Sequence, residues 1–258
     1  MKVVILAGGF GTRLREETEF KPKPMVEIGG HPVLWHIMKN FSNFGHNEFI
    51  IATGYKSEVI KDYFLHYKTR NNDFTISLGK QDSLKIHGQD EQDWKVTIAD
   101  TGLNTLTGGR LVGAAKYLDP NEDFLLTYGD GLANVDLDAL IKNHKAAKKL
   151  ATVTVVQPLS RFGVVDLDPN DQVMQFREKP QVEGWINVGF FVMNPKALQY
   201  VDPDGALEQE PLSKLANDKN LNAYRHSGFW QPMDTYREAQ LLNELWNSGN
   251  TPWKTWKN

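Results

Sequence analysis

The chain has 258 residues, which is long for the commonest single domain but ordinary for an α/β protein built around one extended sheet. Its 29 basic and 32 acidic residues leave a formal net charge of −3, so the composition gives no overall attraction to nucleic acid or to an anionic membrane. The sequence contains no cysteine, which excludes disulfides, thiolate zinc sites and thiol nucleophiles.

Targeting signals are not evident in the sequence. The apolar run at the N-terminus is too short for a signal sequence, and no apolar run approaches the ~20 residues of a membrane-spanning helix. We therefore expect a cytoplasmic protein with neither a membrane nor a nucleic acid as its partner.

In the first 70 residues, short apolar runs alternate with helical patterns. Residues 2–7 and the run "EFIIATG" predict buried strands, while 32–44 and 57–67 carry apolar residues at helical spacing. This β-α-β-α order predicts an α/β fold with a mainly parallel, Rossmann-like sheet and helices on both faces.

Residues 71–99 interrupt this alternation. The runs "DFTISL", "DSLKIH" and "WKVTIAD" alternate apolar with polar residues between turn-rich pieces, which is typical of half-buried strands. We expect an antiparallel β insertion here, acting as a lid or as an interface.

The alternation then resumes to the C-terminus. The sequence predicts helices over 107–117 and 136–150, a short helix opened by Pro195, and a hairpin turning at "DPND". Further strands are predicted at "DFLLTYGD", "ATVTVVQ", "WINVGFFVMN" and "GFWQPMD", and the last precedes a C-terminal helix and tail within 225–258. With no repeat or linker, residues 1–258 are predicted to form a single domain.

A glycine cluster, "LAGGFGTR", follows the first predicted strand. Glycines at such a position let backbone N–H groups approach a phosphate, and Arg13 adds a forked cation directly after them. From Gly9 the letters read G-F-G-T-R-L, so leucine stands where a dinucleotide fingerprint has its third glycine, and no Walker loop occurs. A plain tight turn is the alternative.

Lys23 lies between two prolines in "FKPKPM". Proline on either side predicts an extended backbone that aims the amine in one direction. An ordinary solvated lysine is the alternative, and the position just after the glycine cluster favours a role in anion binding.

Two acidic residues follow predicted strands. Asp130 ends "FLLTYGD", where open α/β sheets bind their ligands, although Asp-Gly is also a common turn. Asp234, in "QPMDTYREA", precedes a helix and has an N-cap as its alternative role. Two carboxylates from separate strand ends suit one Mg²⁺, whereas the spacing of the histidines does not suggest zinc.

Several motifs together resemble a known family. "LAGGFGTRL…PKPM", "TGGRL", "YGDG", "REKP", "INVGFF" and "QPMDT" occur in the order found in sugar-phosphate nucleotidyltransferases, and the resemblance runs from residue 1 to "PWKTW". "KPKPMVEIGG", "TGGRL" and "FWQPMDT" are similar to its cytidylyl branch. The resemblance implies a nucleotidyltransferase sheet and Mg²⁺-dependent transfer of CMP from CTP to α-D-glucose 1-phosphate, giving CDP-glucose for the dideoxyhexoses of bacterial surface polysaccharide, the lipopolysaccharide O-antigen. A homo-oligomer is also expected.

The resemblance implies a role for each matching position. Arg13, Lys23, Asp130 and Asp234 would be catalytic, with Lys23 at the α-phosphate, Arg13 at the β- and γ-phosphates, and Asp130 and Asp234 as the Mg²⁺ ligands. The nucleotide would contact Leu6, Ala7, Gly8, Gly9, Gly11, Thr12, Arg13, Lys23, Thr105, Arg110 and Gly129. The sugar phosphate would contact Gly163, Glu178, Lys179 and Asn187.

Base selection is assigned to Arg110. Its guanidinium carries only donors, whereas cytosine presents acceptors at O2 and N3, so donors aimed at that edge would favour CTP with help from Thr105. A surface arginine at the start of a helix is the alternative.

Other function classes stay open on sequence grounds. These are a pyrophosphorylase for UTP or dTTP, a dinucleotide-dependent dehydrogenase, and a non-catalytic relative, which would be expected to lack the lysine or the acidic pair. Val188 is a departure, because relatives often have glycine there, beside the expected sugar pocket. The insertion at 71–99 also matches weakly.

Overall fold

A computed structural model describes residues 1–79, 83–88, 93–160 and 162–256. Parts of the predicted insertion (80–82 and 89–92) and the last two residues of the tail lie outside the described residues. The strands are β1 (Val3–Ala7), β2 (Glu27–Ile28), β3 (His31–Pro32), β4 (Glu48–Thr53), β5 (Asp73–Ser77), β6 (Ser83–His87), β7 (Lys95–Asp100), β8 (Phe124–Tyr128), β9 (Gly131–Ala133), β10 (Ala151–Val156), β11 (Val164–Leu167), β12 (Val173–Arg177), β13 (Ile186–Met193), β14 (Leu221–Arg225) and β15 (Trp230–Pro232).

The helices lie between these strands. They are α1 (Arg15–Thr18), α2 (Val33–Asn43), α3 (Ser57–Leu65), α4 (Tyr67–Asn71), α5 (Thr107–Ala115), α6 (Leu137–Ala147), α7 (Glu210–Asn217) and α8 (Tyr236–Asn247). Short 3₁₀ turns occupy Thr12–Leu14, Lys23–Met25 and Pro195–Tyr200. The predicted helices and main-sheet strands are present to within a few residues.

A seven-stranded sheet runs through the molecule in the order β14-β10-β13-β8-β1-β4-β7. Only β13 runs against its neighbours, pairing antiparallel with both β8 and β10, so the prediction of a mainly parallel sheet with flanking helices is confirmed. The chain leaves β1 towards β4 on one side and later returns to β8 on the other. This reversal opens a crevice at the carboxyl ends of β1 and β8, where such sheets bind ligands.

Both faces of the sheet are buried at β1. Successive side chains of this strand point to opposite faces, and all five of its residues are buried. Val3 and Ile5 belong to a core shared with α2, α3, α6 and α8, while Val4 and Leu6 belong to a core shared with α5 and α7. A fully buried strand therefore reads as the continuous apolar run seen in the sequence.

The prediction of three antiparallel strands at 71–99 is partly wrong. β5 and β6 form an antiparallel pair, but β7 pairs in parallel with β4 as the last strand of the main sheet. Val96 and Ile98 pack on the core of α2 and α3, whereas Lys95 and Asp100 are exposed. Partial exposure at the sheet edge produces the alternation that resembled an antiparallel strand.

Shorter elements carry the remaining connections. The hairpin of β11 and β12 is present as predicted around 168–171. Sequence reasoning missed α7, β14 and the small ladder between β9 and β15. That ladder matters for the site, because it joins the segments that carry Asp130 and Asp234.

The C-terminal tail packs onto α2 through an aromatic cluster around His36. Trp253 is fully buried and its indole donates to His36 Nδ1 at 3.4 Å, while His36 Nε2 lies 2.8 Å from the Ile28 carbonyl. Indole can only donate, so the His36 proton resides on Nε2. Burial lowers the pKa of His36 to about 4, which keeps it neutral at physiological pH.

We expect the free energy of unfolding to fall as the pH is lowered from 6.5 towards 4. The unfolded chain takes up the histidine proton near pH 6.5, whereas folded His36 takes it up only near pH 4. The unfolded state binds more protons in this window, so His36 alone removes up to roughly 3 kcal/mol of stability. Urea unfolding at a series of pH values measures this loss.

Burial also lowers the pKa of His31, His46 and His144, so these histidines contribute to the same loss of stability. The part due to His36 is found by comparing the slope of unfolding free energy against pH between variants. His36→Gln should flatten the dependence of stability on pH, and His66→Gln, at an exposed histidine, should leave it unchanged. Equal slopes in both variants and the parent protein would contradict the assignment to His36.

Candidate active site

A cavity of about 650 Å³ lies at the carboxyl ends of β1 and β8. Its wall contains all eleven residues for which a nucleotide role was predicted: Leu6, Ala7, Gly8, Gly9, Gly11, Thr12, Arg13, Lys23, Thr105, Arg110 and Gly129. Asp130, Asp234 and Asn187 line it as well. The glycine cluster is therefore cavity wall rather than a plain turn at a sheet edge.

Lys23 lies deep in this cavity and is only 8% exposed. The prediction of an extended backbone at Lys23 is wrong: Pro22 is extended, and Lys23 opens a single 3₁₀ turn closed by the bond from Met25 N to the Pro22 carbonyl. Both prolines still fix the direction of the side chain, because each has a restricted φ. The amine is therefore held in place before any ligand binds.

Four charged side chains converge at the centre of the cavity. Lys23 Nζ lies 2.6 Å from Asp130 Oδ2 and 2.5 Å from Asp234 Oδ1, so one ammonium group joins both carboxylates. Arg13 Nη1 lies 2.9 Å from Asp234 Oδ2, and the Arg13 side chain is 73% exposed at the cavity mouth. The two acidic residues, 104 positions apart in the sequence, thus meet around a shared cation.

Backbone pairing between β9 and β15 brings these carboxylates together. Pro232 pairs with Gly131, and Met233 N donates to the Asp130 carbonyl at 2.8 Å. Asp130 and Asp234 lie at the same end of this ladder.

The alternative roles of the two acidic residues can be compared with their contacts. Thr235 is the N-cap of α8 and forms a capping box with Glu238, so the Asp234 carboxylate does not cap the helix. Asp130 sits in a turn, as Asp-Gly pairs often do, yet its carboxylate also reaches Lys23. Both side chains are directed to the charged centre of the cavity.

Arg110 is buried in the cavity wall and is 4% exposed, so the alternative of a surface arginine is wrong. Its two terminal nitrogens donate to the carbonyls of Thr53, Gly102, Gly8 and Leu103 and to the Thr101 hydroxyl. Gly8 allows this approach, because a Cβ there would lie 2.1 Å from Arg110 Nη1. Arg110 therefore ties the glycine loop to the loop after β7, and burial lowers its pKa.

The acidic pair offers a limited set of metal ligands. Among the described residues, no group of three or more His, Cys, Asp or Glu side chains is arranged to hold a metal ion. Two carboxylates that already share a cation do fit Mg²⁺, which takes one or two protein carboxylates and fills its other positions with phosphate oxygens and water. The residues present therefore suit a metal that arrives with a phosphate ligand.

Asn187 and Val188 of β13 and Tyr128 of β8 line the same cavity. The Tyr128 hydroxyl donates to Glu208, and burial together with the neighbouring Glu208 charge raises the pKa of Tyr128. Neither Tyr128 nor Glu208 was singled out from sequence. Tyr128 ends β8 two positions before Asp130, which is a usable signal, whereas Glu208 follows no strand and carries none.

Three predicted sugar-phosphate residues do not line the cavity. Gly163 packs against Phe176 at the β11–β12 hairpin, close to Glu178. Lys179 Nζ lies 3.9 Å from Glu178 Oε1, and both side chains are more than half exposed. The structure thus groups these three residues with one another but does not join them to Asn187.

In the part of the chain that the structure describes, no helix is both long and apolar enough to cross a bilayer.

Comparison with known proteins gives a consistent result. The chain is 51% identical over its full length to glucose-1-phosphate cytidylyltransferase from Salmonella typhi, with all of both chains covered. It is 46% identical to a probable glucose-1-phosphate cytidylyltransferase from Bacillus subtilis (strain 168), over 99% of this chain and 100% of the relative. A UDP-glucose pyrophosphorylase solved with UDP-glucose shares the fold with a TM-score of 0.68, at 16% identity over 96% of this chain and 98% of that one.

A family model described as nucleotidyl transferase matches residues 2–235. That range contains the glycine loop, Lys23 and both acidic residues of the charged centre. From the full-length relatives, the family match and the residues that meet in the cavity, the chain is an enzyme that belongs to the nucleotidyl transferase family.

Proposed function

We propose that the protein is a sugar-1-phosphate cytidylyltransferase that converts CTP and α-D-glucose 1-phosphate into CDP-glucose and pyrophosphate. The observation that carries this proposal is the meeting of Arg13, Lys23, Asp130 and Asp234 beside the glycine loop. The choice of CTP and glucose 1-phosphate is supported by relatives that bear that name at 51% and 46% identity.

The reaction is a displacement at the α-phosphorus of CTP. An oxygen of the sugar phosphate forms a bond to this phosphorus, and the bond to the oxygen bridging the α- and β-phosphates breaks. The bonding electron pair leaves with pyrophosphate. Because the attacking phosphate is already ionised at neutral pH, no general base is required. Catalysis therefore consists of alignment and of reducing the repulsion between two anions.

The charged centre supplies that reduction of repulsion. Lys23, buried and fixed by its prolines, places its ammonium group at the α-phosphate. Arg13, exposed at the cavity mouth, is available to the β- and γ-phosphates of an entering nucleotide. The backbone of Gly8, Gly9 and Gly11 forms the wall against which the nucleotide lies.

Mg²⁺ is the cofactor that we propose, held by Asp130 and Asp234 together with phosphate oxygens. When bound, it neutralises negative charge on the two reacting phosphates. Lys23 joins the same two carboxylates in the protein alone, so these side chains are already oriented towards a common cation.

The sugar phosphate is assigned to the side of the cavity lined by Asn187. Val188 is buried there, and its larger side chain leaves less space than the glycine often found in relatives. Gly163, Glu178 and Lys179 complete the sugar-phosphate site in this proposal. They lie together at the β11–β12 hairpin, and in this proposal Lys179 supplies a cation for the phosphate.

Self-association is a further part of the proposal. Both small hairpins expose apolar side chains, namely Phe74, Ile76 and Leu84 on β5 and β6, and Leu167, Met174 and Phe176 on β11 and β12. Exposed apolar surface of this kind commonly marks a subunit contact. We expect a homo-oligomer by sedimentation velocity, in the cytoplasm where CTP is made, with CDP-glucose supplied to O-antigen synthesis.

The direct test is pyrophosphate release across a panel of CTP, UTP, dTTP, GTP and ATP with several sugar 1-phosphates. We expect release with CTP and glucose 1-phosphate, dependent on added Mg²⁺ and abolished by a chelator. A preference for UTP or dTTP would show that the enzyme selects uracil or thymine and not cytosine. Failure of every combination would favour the non-catalytic alternative.

Lys23→Ala should lower kcat/KM for CTP by roughly 10²- to 10³-fold, because a preorganised charge at the reacting phosphate is removed. Lys21→Ala is the matched control in the same proline-flanked segment. The Lys21 ammonium group lies 3.8 Å from Glu27 and 3.9 Å from Glu17, at the long end of the range for ion pairs. Steady-state kinetics of both variants, with far-UV circular dichroism as a check on folding, should separate the two lysines. Similar losses in both would contradict the role of Lys23.

Arg110→Ala should reduce the preference for CTP over UTP. In the protein alone its donors hold backbone carbonyls of two loops, so we assign its effect to positioning of the glycine loop and the loop that carries Thr105, alongside any contact with the base. The variant removes the arginine donors of the Gly102 and Leu103 carbonyls. The buried carbonyls of Gly8 and Thr53 keep the backbone donors Tyr55 N and Thr101 N, which favours folding of the variant. The ratio of kcat/KM for CTP and UTP is the measurement, and an unchanged ratio would refute the assignment.

A further inference from the structure

Glu208 connects two residues of the cavity wall. One carboxylate oxygen, Oε1, accepts a hydrogen bond from the Tyr128 hydroxyl. The other, Oε2, accepts from the Thr107 hydroxyl at 2.6 Å. Tyr128 and Thr107 both line the cavity, whereas Glu208 does not. A carboxylate behind the wall thus holds two hydroxyl groups of the wall.

The segment that carries Glu208 is fixed against the start of α5. Leu207 N donates to Thr107 Oγ1 at 2.9 Å, and Gly108 N donates to the Gly205 carbonyl at 3.1 Å. A Cβ on Gly108 would lie 2.6 Å from that same carbonyl oxygen, so the two segments are in close contact. This packing fixes the position of the Glu208 carboxylate.

The directions of these hydrogen bonds follow from charge. An ionised carboxylate can only accept hydrogen bonds, so Tyr128 must donate its single hydroxyl proton to Glu208. The phenol oxygen is then left as an acceptor. Because Tyr128 lines the cavity, this oxygen is available as an acceptor to a ligand bound there.

The amide of Asn187 is oriented by the backbone of its own strand. Gly189 N donates to Asn187 Oδ1 at 2.8 Å. Gly189 has φ +85°, and a Cβ there would lie 2.3 Å from Tyr128 Cδ2, so glycine is required both for the conformation and for contact with the ring. With Oδ1 held by the backbone, Asn187 offers its Nδ2 hydrogens as donors on the same side of the cavity as the Tyr128 oxygen.

We propose that Glu208 is a positioning residue for the sugar 1-phosphate: by accepting the Tyr128 hydroxyl proton, it makes the phenol oxygen present an acceptor to a sugar hydroxyl. This inference rests on the proposed function, because it assigns the Asn187 side of the cavity to the sugar. It adds a residue from the loop before α7 that touches no substrate.

Three variants test the chain of hydrogen bonds. Glu208→Ala and Tyr128→Phe should each raise KM for glucose 1-phosphate roughly 5- to 10-fold, as expected for one hydrogen bond, with KM for CTP nearly unchanged. Glu208→Gln keeps an acceptor for Tyr128 and should restore part of the loss. Combining Glu208→Ala with Tyr128→Phe should add little to either single change.

Glu210→Ala is the matched control, because Glu210 lies two positions further along the chain, is exposed, and forms an ion pair with Lys214 on its own helix. Its kinetics should equal those of the parent protein. Equal rises in both KM values for Glu208→Ala, or additive effects in the double variant, would overturn the inference. Because Tyr128→Phe removes only the hydroxyl, it serves as the test if Glu208→Ala does not fold.

A readout that needs no activity separates this inference from the proposed function. Urea unfolding of the parent protein, Glu208→Ala, Tyr128→Phe and the double variant gives the coupling free energy between Tyr128 and Glu208. This measurement is possible even if the parent protein releases no pyrophosphate. Absence of coupling would overturn the inference whatever the reaction. If the coupling is present but the protein is inactive with the whole substrate panel, the proposed function and the assignment of the sugar are overturned. The hydrogen bond between Tyr128 and Glu208 then stands as a structural contact.

Discussion

One ammonium group shared by two carboxylates determines the arrangement of the whole site. Lys23 comes from a proline-flanked turn near the N-terminus, and Asp130 and Asp234 come from the ends of two short paired strands. Without the lysine, two carboxylates held this close would repel each other in a partly buried environment. This arrangement of one positive and two negative groups suits a negatively charged ligand. An entering phosphate would pair with the lysine, and a divalent cation would then pair with the carboxylates.

Arg110 plays a comparable part for the loops. Its side chain lies under the glycine loop after β1 and beside the loop after β7, and it supplies donors to carbonyls of both. Irregular backbone that is partly buried needs such donors, because it lacks the ladder partners that a strand would give it. The arginine in "TGGRL" thus explains how two glycine-containing loops stay ordered next to a large cavity.

The sequence predicted the sheet and the charged centre well because their signals are local. Apolar runs such as "KVVILA" identify buried parallel strands, and Lys23, Asp130 and Asp234 each follow a strand end or a rigid turn. The predictions that were wrong concerned features set by residues distant in the sequence. In β7 apolar and polar residues alternate because the strand lies at the sheet edge, not because it is antiparallel. The backbone of Lys23 and the burial of Arg110 were likewise set by packing that no local pattern encodes.

Glu208 illustrates the limit of sequence reasoning at the site itself. It follows no strand, belongs to no motif, and reaches the cavity wall only because the loop before α7 packs closely on the glycines of α5. Its influence travels through the Tyr128 hydroxyl, whose single proton can be given to one acceptor only. A carboxylate outside the cavity can therefore decide whether a hydroxyl group of the cavity wall donates to a ligand or accepts from it, and such control becomes visible only when hydrogen-bond directions are followed from residue to residue.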